Sequence, residues 1–195
     1  HPRLLDYLAR GFIDSGWSIK QLHRDIMLSA TYQLGTDSNS ANSEIDADNR
    51  YLWRMNRRRL DVEAWRDALL HVSGRLDRHL GGPSTMLSDP KNVRRTVYAK
   101  ISRHELDSLL RLFDFPDANI TSAKRTVTTV PLQQLFVLNS TFMTLQAKAL
   151  SARLLKDKSA SNEKRIRDAY MLLYGREATS QEVEIGSTYL KLAEV

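Results

Sequence analysis

Residues 61–83 read DVEAWRDALLHVSGRLDRHLGGP, and this stretch sets the class of the fold. Val62, Trp65, Leu69, Val72, Leu76 and Leu80 recur at intervals of three and four, the period of one helix face. Asp61 stands where an N-cap belongs, Glu63 sits at the positive end of the helix dipole, and Gly81-Gly82-Pro83 supplies a stop. The spacing predicts a helix running from residue 62 to residue 80.

Upstream, Leu4, Leu5, Leu8, Phe12 and Ile13 keep helical spacing, with Pro2 in the first turn and Gly16 past the end. Ser18-Ile-Lys-Gln21 is a capping-box pattern opening a second helix on Ile19, Leu22, Ile26 and Met27, so the pair predicts an αα-hairpin. Residues 35–49 are polar and glycine-containing, and predict a loop prone to local disorder. Downstream, Val97, Ala99 and Ile101 alternate with Thr96, Tyr98 and Lys100, a strand period that allows at most a minor ribbon over 93–101. A short helix on Leu106, Leu109, Leu110 and Phe113 ends at Phe115-Pro116-Asp117, and 117–130 reads as irregular. Pro131 opens a long helix to about Lys156; Ile166, Tyr170 and Leu173 define another, closed by Gly175. Thr179-Ser-Gln-Glu182 caps the last one. The expected fold is mainly α, an irregular multi-helix bundle with at most one short β-ribbon near residues 93–101. It forms a single helical domain over 1–195, divisible into sub-units 1–80 and 131–195 joined by an irregular 81–130 segment.

At 195 residues, a chain buries roughly 70% of its unfolded surface, enough for a core without staples. The net charge of +6 is spread thinly, because residues 1–80 carry 12 basic and 11 acidic side chains. A polyphosphate binder concentrates its cations on one stripe, so nucleic acid is an unfavoured partner here. The absence of cysteine excludes disulfides, thiolate metal sites, thiol nucleophiles and covalent haem attachment within these residues. No apolar run is long enough to span a bilayer. The chain opens on His1-Pro2 rather than Met, which reads as a segment of a longer protein.

No catalytic motif stands out. His1, His23, His71, His79 and His104 have no metal-ligand spacing, and no nucleophile elbow or phosphate cradle occurs. Asp114 and Asp117, flanking Phe115-Pro116, are a candidate carboxylate pair for acid/base work of the kind that acts on polysaccharide, although two acids three residues apart in a turn more often cap helices or pair with arginine. The arginines are the other chemical signal. Within Arg50–Asp67, two tryptophans and six arginines lie beside four acids or amides. Arg57, Arg58 and Arg59 precede Asp61 and Arg66; Arg94 and Arg95 precede Tyr98; Arg103 and Arg125 lie either side of the Asp114/Asp117 turn. Convergence of these segments predicts either a buried arginine–carboxylate lattice or a pocket for an anionic ligand. Asn139, interrupting an apolar stretch after Gln133 and Gln134, is expected to be a buried amide tethering the 117–130 segment.

The order of blocks along the chain resembles a family. The matching blocks include Gly16-Trp17-Ser18 with Leu22-His23-Arg24, Ser29-Ala30-Thr31-Tyr32, Arg57 to Leu60, Arg66-Asp67-Ala68 and Gly81-Gly82-Pro83. They continue with Arg94-Arg95 and Val97-Tyr98, Phe113 to Asp117, Thr128 with Pro131 and Gln133, and Tyr170 with Gly175-Arg176. They resemble a planctomycete-type domain of unknown function found at the C-terminal end of large, cytochrome-associated proteins. The resemblance implies an exported protein of the cell envelope, with the upstream domains of the same protein as partners. It implies no cofactor in this segment, any haem belonging to a missing upstream domain, and it carries over no catalytic residue. Three functions remain open: a non-catalytic interaction or ligand-contact module, an enzyme domain acting on polysaccharide, and a weak nucleic-acid binder.

Overall fold

A computed structural model describes residues 1–193. Among them the architecture is helical, without a sheet. The chain divides into two compact units, His1–Arg59 and Leu60–Val195.

The first unit holds α1 (Pro2–Asp14), α2 (Ile19–Met27) and α3 (Ser40–Ile45). The hairpin of α1 and α2 forms as the spacing predicts. Ser18 Oγ accepts from the Gln21 amide, but the Gln21 side chain turns to Asp25 instead of closing the box. The polar 35–49 stretch, expected to be a loop, contains the short helix α3. Asn39 caps α3 through its side chain. Asp46 and Asn49 are buried polar hubs. The Asp46 carboxylate accepts the Arg50 and Tyr51 amides, and its carbonyl accepts the Trp53 indole N–H. The Asn49 amide donates to Arg54 O and Asn56 Oδ1. Short polar side chains fold a loop when they replace ladder bonds in this way, which composition alone does not reveal.

The second unit contains α4 (Val62–Val72), a 3-10 turn (Thr96–Tyr98), α5 (Ser108–Leu112), α6 (Pro131–Asn139), α7 (Thr141–Leu154), α8 (Asn162–Tyr174) and α9 (Ser180–Ala193). Helix α4 stops eight residues before the expected Gly-Gly-Pro. Gly74 takes φ +77°, Arg75 N–H bonds Leu70 O at 2.9 Å and Gly74 N–H bonds His71 O at 3.0 Å. That is a Schellman closure, available to glycine at no steric cost. Arg153 of α7 then donates to Val72 O at the helix end and adds a second bond to His71 O. The apolar spacing of Leu76 and Leu80 continues beyond the helix without belonging to it.

Residues 93–101 form no strand pairing. The 3-10 turn is flanked by two isolated bridges, Asp77 with Arg94 and Thr85 with Ala99. Of the alternating residues, Tyr98 and Lys100 are held by the backbone of Thr85, whose hydroxyl accepts from the Asn92 side chain. The long helix expected after Pro131 is two helices. Ser140, extended at φ −75°, ψ 141°, ends α6 and caps α7 by accepting the Met143 amide.

The core of this unit is small and aromatic. Val62, Leu109 and Leu110 are buried, with Trp65, Leu87, Leu106, Phe113, Phe115 and Phe136 packed around them. Trp65 stacks on Phe113 at 4.8 Å, and Phe136 meets both rings. A buried bond of 2.9 Å from Ser73 Oγ to Gln146 Oε1 ties α4 to α7. Helices α8 and α9 pack closely at Gly186, where an added Cβ would lie 3.0 Å from Ile166 Cδ1. The predicted capping box at α9 closes both ways between Thr179 and Glu182. Arg176 grips the same carboxylate with two nitrogens and, with the Thr179 bonds, lowers the Glu182 pKa to about 2.

Candidate functional site

Arg66 is the centre of the arginine chemistry. It follows Val62 by one helical turn and precedes Leu70 by another, so the helix turns it toward the core, and its side chain is 1% exposed. Its fork reaches the loop that follows Gly74: one terminal nitrogen donates to Arg94 O and Thr96 Oγ1, the other to Asn92 O at 2.6 Å. The guanidinium lies 5.4 Å from the Phe142 ring centroid, and its Nε makes no hydrogen bond among the described residues. Burial lowers the Arg66 pKa from its usual value, with Asp67 and Asp107 opposing that shift. The neighbouring Asp67 accepts from both the Thr96 amide and hydroxyl, and lies 3.9 Å from Arg95 Nε. Arg66 and Asp67 therefore both fasten α4 to residues 92–96 through the Thr96 hydroxyl.

Arg94 closes the Gly81-Gly82-Pro83 turn. Its guanidinium donates to Gly81 O and to Pro83 O, and stacks 4.1 Å from the Tyr98 ring. The Tyr98 hydroxyl accepts from the Gly81 amide. The two glycines hold φ of +83° and +88°, which presents the turn's carbonyls to this arginine.

Arg125, from the irregular segment, grips Glu63 with two bonds of 2.7 Å and lies 3.8 Å from Asp61. The Arg125 hydrogen bonds lower the Glu63 pKa, burial opposing them. Asp61 precedes α4 at the N-cap position but accepts no capping bond; it serves the Arg125 pair. Phe115 supports the same guanidinium at 5.0 Å. The expected arginine–carboxylate bridges are thus present, as separate clasps along the second unit and not as one cluster.

Asp114 and Asp117 do not share a site. Asp114 is the left-handed residue after α5, at φ +61°, with Phe115 N–H bonding Leu110 O. Its carboxylate takes the Thr128 amide at 2.9 Å and hydroxyl at 2.6 Å. Asp117 is turned to Asn119, whose backbone and side-chain N–H groups hold its carboxyl below the usual range. Arg103 is exposed, and its carbonyl accepts from Asn119. An open groove of about 760 Å³ runs past Asp114, Thr128, Asp107 and Arg111 over Leu106 and Leu112. In it Asp107 caps α5 by accepting the Leu109 amide. General acid catalysis needs a carboxyl with a raised pKa, and the Asn119 bonds move Asp117 in the opposite direction.

Arg57, Arg58 and Arg59 belong to the first unit and are exposed. The side chains of Arg57 and Arg58 make no hydrogen bond or ion pair among the described residues, whereas Arg59 is engaged. The buried amide of α6 is Gln133, not Asn139: Gln133 donates to Leu112 O and accepts from the Val130 amide, while Asn139 is exposed. Gln146, which carries the Ser73 bond, had no counterpart in the sequence reading. Among the described residues no His, Asp or Glu group could hold a metal, and no helix is long and apolar enough to cross a membrane.

These features define an all-helical domain braced by internal guanidinium clasps. The chain belongs to the PSD1 family, described as a protein of unknown function (DUF1553), whose model matches residues 1–190. No curated protein and no solved structure matches it.

Proposed function

We propose that this chain is a non-catalytic helical module that makes interaction or ligand contacts within a larger, exported, cytochrome-associated protein of the cell envelope. Its partners on this reading are upstream domains of the same protein, with an anionic ligand or polysaccharide as a further contact. Any haem sits in those domains, since the chain carries no cysteine for covalent attachment.

The observation that carries the reading is the state of Arg66. Its fork is spent on Asn92 O, Arg94 O and Thr96 Oγ1, so it braces helix α4 and offers nothing to a ligand. Arg94 and Arg125 are engaged in the same manner. The polysaccharide-hydrolase reading draws no comparable support, because Asp114 and Asp117 are committed to Thr128 and Asn119. The planctomycete and cytochrome association rests on the block-by-block resemblance of the sequence.

Fractionation of the source cells, with an antibody to this chain and haem staining of the same band, tests the context. The expected result is one envelope-fraction band, positive for both. A haem-free band in the cytoplasmic fraction would overturn it.

A further inference from the structure

The first unit carries a groove of about 1030 Å³ that the arginine clasps leave untouched. Leu4 and Leu8 of α1, Ile26 of α2, and Leu52 and Met55 of the following segment give it an apolar lining. Leu4 and Leu52 are more than half exposed there. Cations stand along the same wall. Arg58 has no partner, and Arg54 rests on the Trp53 ring at 4.9 Å with its Nε buried and unbonded. The single acid in the lining, Asp25, is engaged by the Gln21 amide. Leu52 is held at φ +56°, a conformation that leucine rarely adopts, and the Asn49 turn keeps it there. Strain of this kind concentrates where a side chain must be presented in a fixed direction.

The geometry points to this groove as a docking site for an acidic amphipathic helix of a protein partner. The inference rests on the interaction-module reading and names its surface. A concave apolar channel accepts the apolar stripe of a helix, and unpaired arginines at its wall select carboxylates on the flank. A membrane surface fits less well, because a flat bilayer does not fill a channel.

The test uses the whole chain and three labelled synthetic peptides of about 18 residues, long enough for five helical turns. One is an amphipathic leucine–glutamate helix, one its leucine–lysine counterpart, and one the acidic peptide scrambled to destroy the apolar stripe. Fluorescence anisotropy should show binding of the first alone, with a gain of helical circular dichroism. Leu4→Glu and Arg58→Glu, both at exposed positions, should each weaken it by about tenfold while leaving the chain's own unfolding midpoint unchanged. Equal binding of the scrambled peptide, preference for the lysine peptide, no binding, or indifference to both substitutions would overturn the proposal. Binding of the chain to anionic vesicles in place of the peptide would do the same. None of these results bears on where the full protein resides, which the fractionation decides separately.

Discussion

Residues 50–59 and residues 92–96 both place arginines beside aromatic rings and polar loop atoms, yet they meet opposite fates. In the second unit, Arg66 ends on the carbonyl oxygens of Asn92 and Arg94 and holds that loop against a helix, and Arg94 closes the Gly81-Gly82-Pro83 turn. In the first, Arg57 and Arg58 face solvent without partners. Charge density along the chain is higher in the first stretch, but the structural roles go to arginines with carbonyls or carboxylates within reach, and on α4 to the one on the buried face. What separates a brace from a free cation is the direction of its Cα–Cβ bond and the presence of unsatisfied carbonyls within reach.

The sharpest way to break this contrast is to remove the brace. Arg66→Ala strands Asn92 O and Arg94 O, leaves Thr96 Oγ1 with its Asp67 bond alone, and should cost about 3 kcal/mol in urea unfolding. Gln146→Ala leaves the buried Ser73 hydroxyl with only its own helix carbonyl and should cost about 1–2 kcal/mol by the same measurement. Glu63→Gln should cost about 1 kcal/mol at neutral pH, since this clasp is only partly shielded from solvent. Its pH dependence has a definite sign. Glu63 has a lowered pKa in the folded state, so its contribution is complete above the unfolded value of about 4.3. As pH falls through the lowered folded-state pKa the contribution disappears, and unfolding curves of wild type and variant should converge. At the small end, Arg58→Ala should shift thermal stability by less than about 0.5 kcal/mol.

Much of the helical framework was legible. Hairpin α1–α2, helix α8 with its Gly175 end and the Thr179–Glu182 box all follow from spacing and capping residues, which are local signals. The two misplaced helix ends share one cause: apolar spacing persists where a backbone turn interrupts it. Leu76 and Leu80 extend the period of α4 past Gly74, whose left-handed φ ends the helix. Ser140 lies between two apolar helices, and the polar pair Asn139-Ser140 was the available sign of a break. The density of arginines within Arg50–Asp67 does not single out Arg66 from Arg57–Arg59. The better signal was the interval Val62, Arg66, Leu70, two apolar residues one helical turn to either side of a cation. The carbonyls that Arg66 satisfies lie 26 to 28 residues downstream, and no local pattern announces them. The same holds for Gln146, paired with a serine 73 positions away.

The central claim, that a planar guanidinium fork braces the second unit, is tested most directly by urea unfolding of Arg66→Lys beside Arg66→Ala. Lysine keeps the charge but cannot span the three acceptors on Asn92, Arg94 and Thr96 from one rigid plane. The account predicts that lysine recovers less than half of the stability lost with alanine. Full recovery by lysine, or an alanine variant as stable as wild type, would contradict it.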